Sequence, residues 1–320
     1  MYIEDLSFMF KGCRHIKEFN KFIDRKLLDF SRVNTIDHMF SESQIKNIDL
    51  SIFGKFPNLE SMEYVFYNCE KLIEINGLQN WNTNKVTSMS NMFKNCSNLK
   101  IINDMSKLDT SNTINFTEMF CNCSSLENLP DITKWNMSSA IHLEGMFKEC
   151  RNLRRIPDIS LWKVEKVISM EEMFSECSAL ESLPDISLWK VEKVKSMQKL
   201  FYKYSALKSL PNISLWNVEK VTSMEEMFYK CSALKILPDI SLWNVENVTS
   251  MKKMFSKCSA LEILPDFSKW KLESIQNLSK MFYKCTSLKQ SHRPDIRKWQ
   301  IKNKKVKKSK IFDDEENINL

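Results

Sequence analysis

Apolar residues recur along this chain in a fixed order with a period of 27 residues. The clearest landmark is a phenylalanine, usually preceded by methionine and usually followed three residues later by cysteine. These phenylalanines are Phe66, Phe93, Phe120, Phe147, Phe174, Phe201, Phe228, Phe255 and Phe282. A period of this size is typical of a solenoid, in which each repeat packs only on its neighbours.

One stretch of each repeat has the spacing of an amphipathic helix. In the repeat of residues 157–183, Met170, Met173, Phe174 and Cys177 lie at positions i, i+3, i+4 and i+7. Ser169 precedes them as an N-cap candidate, three residues before a glutamate that completes a capping box. The pattern predicts a short helix of about two turns that needs stacking on its neighbours for stability.

The segment after the cysteine predicts a short strand. It has a Leu-x-x-Leu-Pro pattern, as in Leu180 to Pro184, and proline marks the end of the strand because it cannot donate to a ladder. Trp189, Val191 and Val194 then supply a third inward-facing segment before the next predicted helix.

The rhythm divides the chain into three parts. Residues 1–65 are degenerate repeats, because Phe10, Phe40 and Phe66 are separated by 30 and 26 residues. Residues 66–300 are regular repeats of 27 residues. Residues 301–320 carry a lysine run followed by acidic residues, which predicts a charged, disordered tail.

The repeat resembles a known family. The string Trp-Asn-Val-x-x-Val-Thr-Ser-Met-x-x-Met-Phe-x-x-Cys-Ser-Ala-Leu begins at Trp216, and a close variant runs from Trp81 to Cys96. Both are similar to the BspA-like leucine-rich repeats, and closest to the DUF285 subgroup, over about residues 60–290. The resemblance implies an α/β fold, a leucine-rich-repeat solenoid with a short strand and a short helix in each 27-residue repeat. It also implies that members on cell surfaces adhere to host or matrix proteins.

Composition excludes several classes of protein. Hydrophobic residues make up 43% of the chain and charged residues 27%, with a net charge of +7, which is ordinary for a water-soluble fold. No apolar run reaches the roughly 18 residues of a membrane span. The absence of a signal peptide predicts a cytoplasmic protein, or a cell-surface protein if the natural N-terminus lies upstream of Met1.

The repeated cysteines and aspartates each allow a structural and a chemical interpretation. Nine of ten cysteines share the apolar stripe, which favours small core residues over disulfide or metal chemistry, whereas Cys121 is expected to point outward. The aspartates after proline favour Asx turns over a calcium-lined ladder. These aspartates are Asp131, Asp158, Asp185, Asp239, Asp266 and Asp295.

No catalytic constellation is evident. The four histidines, His15, His38, His142 and His292, share no repeat position and have no partner at a telling spacing. The sequence therefore predicts a protein that is not an enzyme and has no cofactor, metal site or small-molecule substrate.

The predicted function is a protein-binding scaffold that presents one curved face of the solenoid. The residues free to vary lie between the strand leucines, and the predicted partner-binding residues are Arg154, Arg155, Glu181, Lys208, Lys235 and Glu262. Their mixed charges make nucleic acid an unlikely partner, since its backbone requires a continuous basic stripe. The alternatives are a cell-surface adhesin, and association with a polyanion through the lysine tail.

Overall fold

The computed structural model describes residues 3–14 and 29–313 and divides into two compact units, Met1–Lys163 and Val164–Leu320. In each unit, successive repeats form coils that lie in parallel register. In the first unit, β1 (Asn47–Asp49), β2 (Glu74–Asn76) and β3 (Ile101–Ile102) form a parallel sheet in that order. Their paired residues are 27 apart, as with Ile48 and Ile75.

The second unit is built in the same way with shorter pairings. Its strands β4 (Lys271–Leu272) and β5 (Gln300–Ile301) are parallel, and isolated parallel bridges join Ser196, Ser223 and Ser250. Short 3₁₀ helices occur at Leu50–Phe53 and Leu78–Asn80 in the first unit, and at Phe267–Lys269, Gln290–His292 and Ile296–Lys298 in the second.

The predicted helix of each repeat is wrong: the described residues contain no α-helix. The segment from Met170 to Cys177 is a run of overlapping β-turns, in which Cys177 N–H donates to Phe174 O at 3.4 Å. The intervening N–H groups donate to the next coil instead, as Phe174 does to Leu200 O at 3.1 Å. An α-helix would need each of these donors for its own i−4 carbonyl, so the contact between coils replaces the helix.

Two residues in each turn segment adopt a positive φ, as the third residue of a type II turn requires. In the coil from Met170 to Cys177 these are Glu172 (φ 56°) and Glu176 (φ 60°). Because the turns reverse direction within four residues, the apolar positions still face inward. The helical spacing therefore identified the buried residues correctly although the backbone is different.

The interior consists of ladders with one residue per coil. In the second unit the rings of Phe201, Phe228 and Phe255 stack with centroids 5.4 Å apart. Trp243 Nε1 donates to Ile213 O at 3.1 Å, so even the indole N–H is satisfied by the preceding coil. All these side chains are buried, which removes their apolar surface from water and stabilises the stack.

The cysteine ladder confirms the core interpretation. All ten cysteines are free thiols, and Cys231 and Cys258 donate to the carbonyls of Phe201 and Phe228 at 3.1 and 3.0 Å. Burial raises the pKa of the Cys258 thiol well above its ordinary value. The prediction for Cys121 is wrong: this thiol is buried, and burial raises its pKa to about 12.

The coils continue at both ends of the regular region. In the first unit, Thr35 bridges both Asp5 and Ser61, so the irregular N-terminal repeats join the same stack. In the second unit, Lys307 bridges Asn277 and the Phe312 ring stacks on Phe282 at 5.2 Å. The structure thus differs from the predicted tail at 301–320, because Ile311 and Phe312 bury apolar side chains. Residues 314–320 lie outside the described residues.

Candidate interaction surfaces

The predicted partner-binding residues are exposed and lie in the segment after the cysteine, where the sequence predicts a strand. We call the exposed pair of residues in each such segment, between the first leucine and the leucine or isoleucine three residues later, the strand face. In the first unit Arg154 and Arg155 are exposed, and Arg155 bridges Asn128 of the preceding coil. In the second unit Glu181, Lys208, Lys235 and Glu262 are all exposed and follow one another coil by coil.

Most charges of the strand face are paired between neighbouring coils. Lys208 lies 2.6 Å from Glu181, and Lys235 lies 3.7 Å from Glu262. The Lys208 ammonium holds the pKa of the Glu181 carboxyl below its usual value through a hydrogen bond. In the first unit, Arg154 lies 3.6 Å from Glu127. Exposed pairs contribute little to stability, so these side chains remain available to a partner.

An apolar pair adds to the strand face of the second unit. Ile236 and Ile263 are 58% and 46% exposed and form a parallel bridge with each other. They lie beside Lys235 and Glu262 in sequence, so a small apolar patch is bordered by an ion pair. This is the composition of the centre and rim of a protein interface.

A second exposed surface was missed from the sequence. Leu188, Leu215 and Leu242 occupy the same position in three consecutive coils of the second unit, and 73–76% of each is exposed. We call these residues the leucine stripe. The sequence signal for this surface was the leucine that recurs in the Ser-Leu-Trp string. It was overlooked because the neighbouring tryptophan belongs to the core.

The aspartates after proline form Asx turns, as predicted. Asp185 and Asp239 each accept the backbone N–H two residues ahead, at 2.9 and 3.1 Å. Hydrogen bonds from Ser241 lower the pKa of the Asp239 carboxyl. Within residues 3–14 and 29–313, no group of three or more histidine, cysteine or carboxylate side chains is arranged to hold a metal ion. Nor does any helix there have the length and apolar character to cross a bilayer.

Parallel coils in register, with leucines inside and short parallel pairings between neighbouring coils, define a leucine-rich-repeat solenoid. The chain belongs to the family described as "Mycoplasma protein of unknown function, DUF285", whose model matches residues 1–74, 60–180, 128–236 and 206–320. No curated protein matches the chain.

Several solved structures are similar to the chain. A leucine-rich repeat protein from Bacteroides ovatus is 21% identical, with 76% of this chain and 75% of that one covered and a TM-score of 0.32. One from Eubacterium ventriosum is 15% identical, with coverages of 91% and 86% and a TM-score of 0.31. A leucine rich cell surface protein from Faecalibacterium prausnitzii is 15% identical, with coverages of 72% and 82% and a TM-score of 0.28.

Proposed function

We propose that this protein is a non-enzymatic scaffold that binds a protein partner through the second unit. The observation that carries the proposal is the leucine stripe. Three large apolar side chains are about three-quarters exposed in consecutive coils, whose inward-facing residues are almost completely buried. Aligned apolar groups on an otherwise polar surface are characteristic of interaction sites.

The strand face is proposed to provide specificity. Its interior neighbours are the same in almost every coil, whereas its exposed residues change from Glu181 to Lys208 to Lys235 to Glu262. Variation at these exposed positions gives each coil a different contact, which suits a protein with an uneven charge pattern. In the first unit, Arg154 and Arg155 form an exposed pair of the same kind.

The test compares two variants in capture of partners from source-cell extract, quantified by mass spectrometry. In the first variant Leu188, Leu215 and Leu242 are replaced by lysine, which stands at this position as Lys269 in the next coil and therefore fits the backbone. In the second, Lys208 and Lys235 are replaced by glutamate. We expect the Leu→Lys variant to capture no partner. We expect the charge-reversed variant to capture about a tenth of the wild-type amount or less.

Lys193→Glu/Lys220→Glu is the matched control, because both lysines are exposed in the same unit but lie outside the strand face and the leucine stripe. All variants should melt at the wild-type temperature, since the altered side chains bury little surface. Undiminished capture by the Leu→Lys variant would refute the proposed function. Undiminished capture by the charge-reversed variant would refute only the role of the strand face.

A further inference from the structure

The turn segments of the second unit carry two rows of lysines that belong neither to the strand face nor to the leucine stripe. Lys253 and Lys280 belong to the first row, and Lys230, Lys257 and Lys284 to the second, with one residue per coil in each row. Together they form what we call the lysine track. It lies on other segments of the coil than the strand face and the leucine stripe.

Tyrosine rings hold the two rows together. The ammonium groups of Lys280 and Lys284 lie 5.6 and 5.4 Å from the centroid of the Tyr283 ring. Those of Lys253 and Lys257 lie 5.5 and 5.4 Å from the centroid of Tyr229. Cation–π contacts of this length position the charged groups without neutralising them.

Within the described residues, one lysine of the track is paired with a carboxylate and four are not. Lys253 lies 2.7 Å from Glu226, which occupies the first-row position of the preceding coil. In the described part of the chain, the side chains of Lys230, Lys257, Lys280 and Lys284 have no carboxylate within 4.0 Å. At the far end, the Asp313 carboxylate accepts the backbone N–H of Lys284 at 2.9 Å.

Folding does not explain lysine at these positions. Lys230, Lys257 and Lys284 have φ angles of 60°, 64° and 60°, which glycine and asparagine adopt more readily than lysine. The second row also brings like charges to within about 4.8 Å of one another in backbone spacing, which is unfavourable. Three consecutive coils thus carry lysine where neither the backbone nor the neighbouring charges favour it.

We propose that the lysine track binds an extended acidic polypeptide segment. In an extended chain, successive side chains point to opposite sides, so carboxylates of an acidic run would address both rows. Carboxylates on one side are about 6.7 Å apart, which flexible lysines spaced about 4.8 Å apart can meet. Single-stranded nucleic acid fits less well, because it requires open aromatic faces for its bases. Here lysines cover the rings, and Tyr202 and Tyr229 stack on each other at 5.1 Å.

The experiment measures binding of a fluorescent octaglutamate peptide to the full chain by anisotropy. The ladder variant replaces Lys230, Lys257 and Lys284 with asparagine, which suits a positive φ and occupies the same position in three coils of the first unit. The matched control replaces Lys166, Lys193 and Lys220, an exposed column in the same unit, with asparagine and so changes net charge equally. We expect the ladder variant to lose at least about tenfold in affinity and the control less than about twofold.

Equal losses in the two variants would overturn the proposal, because binding would then reflect net charge alone. A twelve-residue oligothymidylate is measured in parallel at the same salt concentration. If it binds more tightly than the peptide and its binding is lost in the ladder variant, the track is a nucleic-acid site and the proposed occupant is wrong. Neither result bears on the leucine stripe, so this test is independent of the function proposed above.

Discussion

In three consecutive coils of the first unit the second positive-φ position of the turn segment is asparagine, whereas in the last coils of the second unit it is lysine. In the first unit, Asn95 donates to Asn68 at 2.8 Å and accepts from Asn122 at 3.1 Å, forming an amide ladder from coil to coil. In the second, Lys230, Lys257 and Lys284 hold the same place with φ angles of 60–64°. Asparagine suits the positive φ and hydrogen-bonds to its neighbours, whereas lysine suits the positive φ less well and contacts tyrosine rings instead.

This difference shows that the exposed residues of a coil can change without changing the packing of its buried residues. Phe93 and Phe228 are both completely buried and stack on the next coil at 5.4 Å, although the residues outside them differ. Because each coil contacts only its neighbours, a local change of surface leaves the shared ladders intact. The second positive-φ position can therefore stabilise the fold in the first unit and present a positive charge to solvent in the second.

The largest effect is expected from removing a phenylalanine of the buried ladder. Doing so in each unit tests whether the interiors of the two units are equivalent. Phe93→Ala and Phe228→Ala should each lower the free energy of unfolding by about 3–5 kcal/mol, because each leaves a large cavity in the phenylalanine ladder. Chemical denaturation of each variant, with hydrogen exchange to locate the unfolding coils, provides the measurement. Losses that differ by more than about 2 kcal/mol would contradict a common interior.

A smaller loss of stability is expected when lysine replaces asparagine at this position in the first unit. Asn95→Lys removes two amide hydrogen bonds and leaves partly buried amides of Asn68 and Asn122 without partners, which should cost about 2 kcal/mol. Asn84→Lys is the control, since Asn84 is exposed in the same unit and makes no comparable ladder. Equal unfolding midpoints for both variants would show that the amide ladder does not stabilise the first unit.

Replacing lysine by asparagine in the second unit should have the smallest effect, and it should raise rather than lower the free energy of unfolding. Lys257→Asn relieves the unfavourable φ and the like-charge contacts with Lys230 and Lys284 but loses the cation–π contact with Tyr229. A net gain of about 0.5 kcal/mol is expected, measured by chemical denaturation at low salt. Added salt should shrink the gain, because it screens the repulsion between lysines in the wild type. A loss of stability would mean that the lysine row contributes to folding.

Much of the fold followed from the period. The positions of Phe174, Cys177 and Trp189 in a 27-residue rhythm predicted parallel coils with ladders inside, and the family strings agreed with them. The turns at Asp185 and Asp239 were also predictable, since an Asx turn depends on residues two apart. The interaction surfaces were predictable only in part. The strand face was named from its variable positions, whereas the leucine stripe was hidden by its place beside a core tryptophan.

The spacing of apolar residues was sufficient to predict which side chains face inward and how often the pattern returns, because burial follows that spacing. The backbone conformation between them depends on contacts between coils, which the sequence alone did not show. Phe174 donates its N–H to Leu200 in the neighbouring coil, so the predicted helix gives way to turns. The same stacking buries Cys121 and aligns Lys230, Lys257 and Lys284. Residues 27 apart become neighbours only when coils pair in register, so the lysine track exists only in the folded protein.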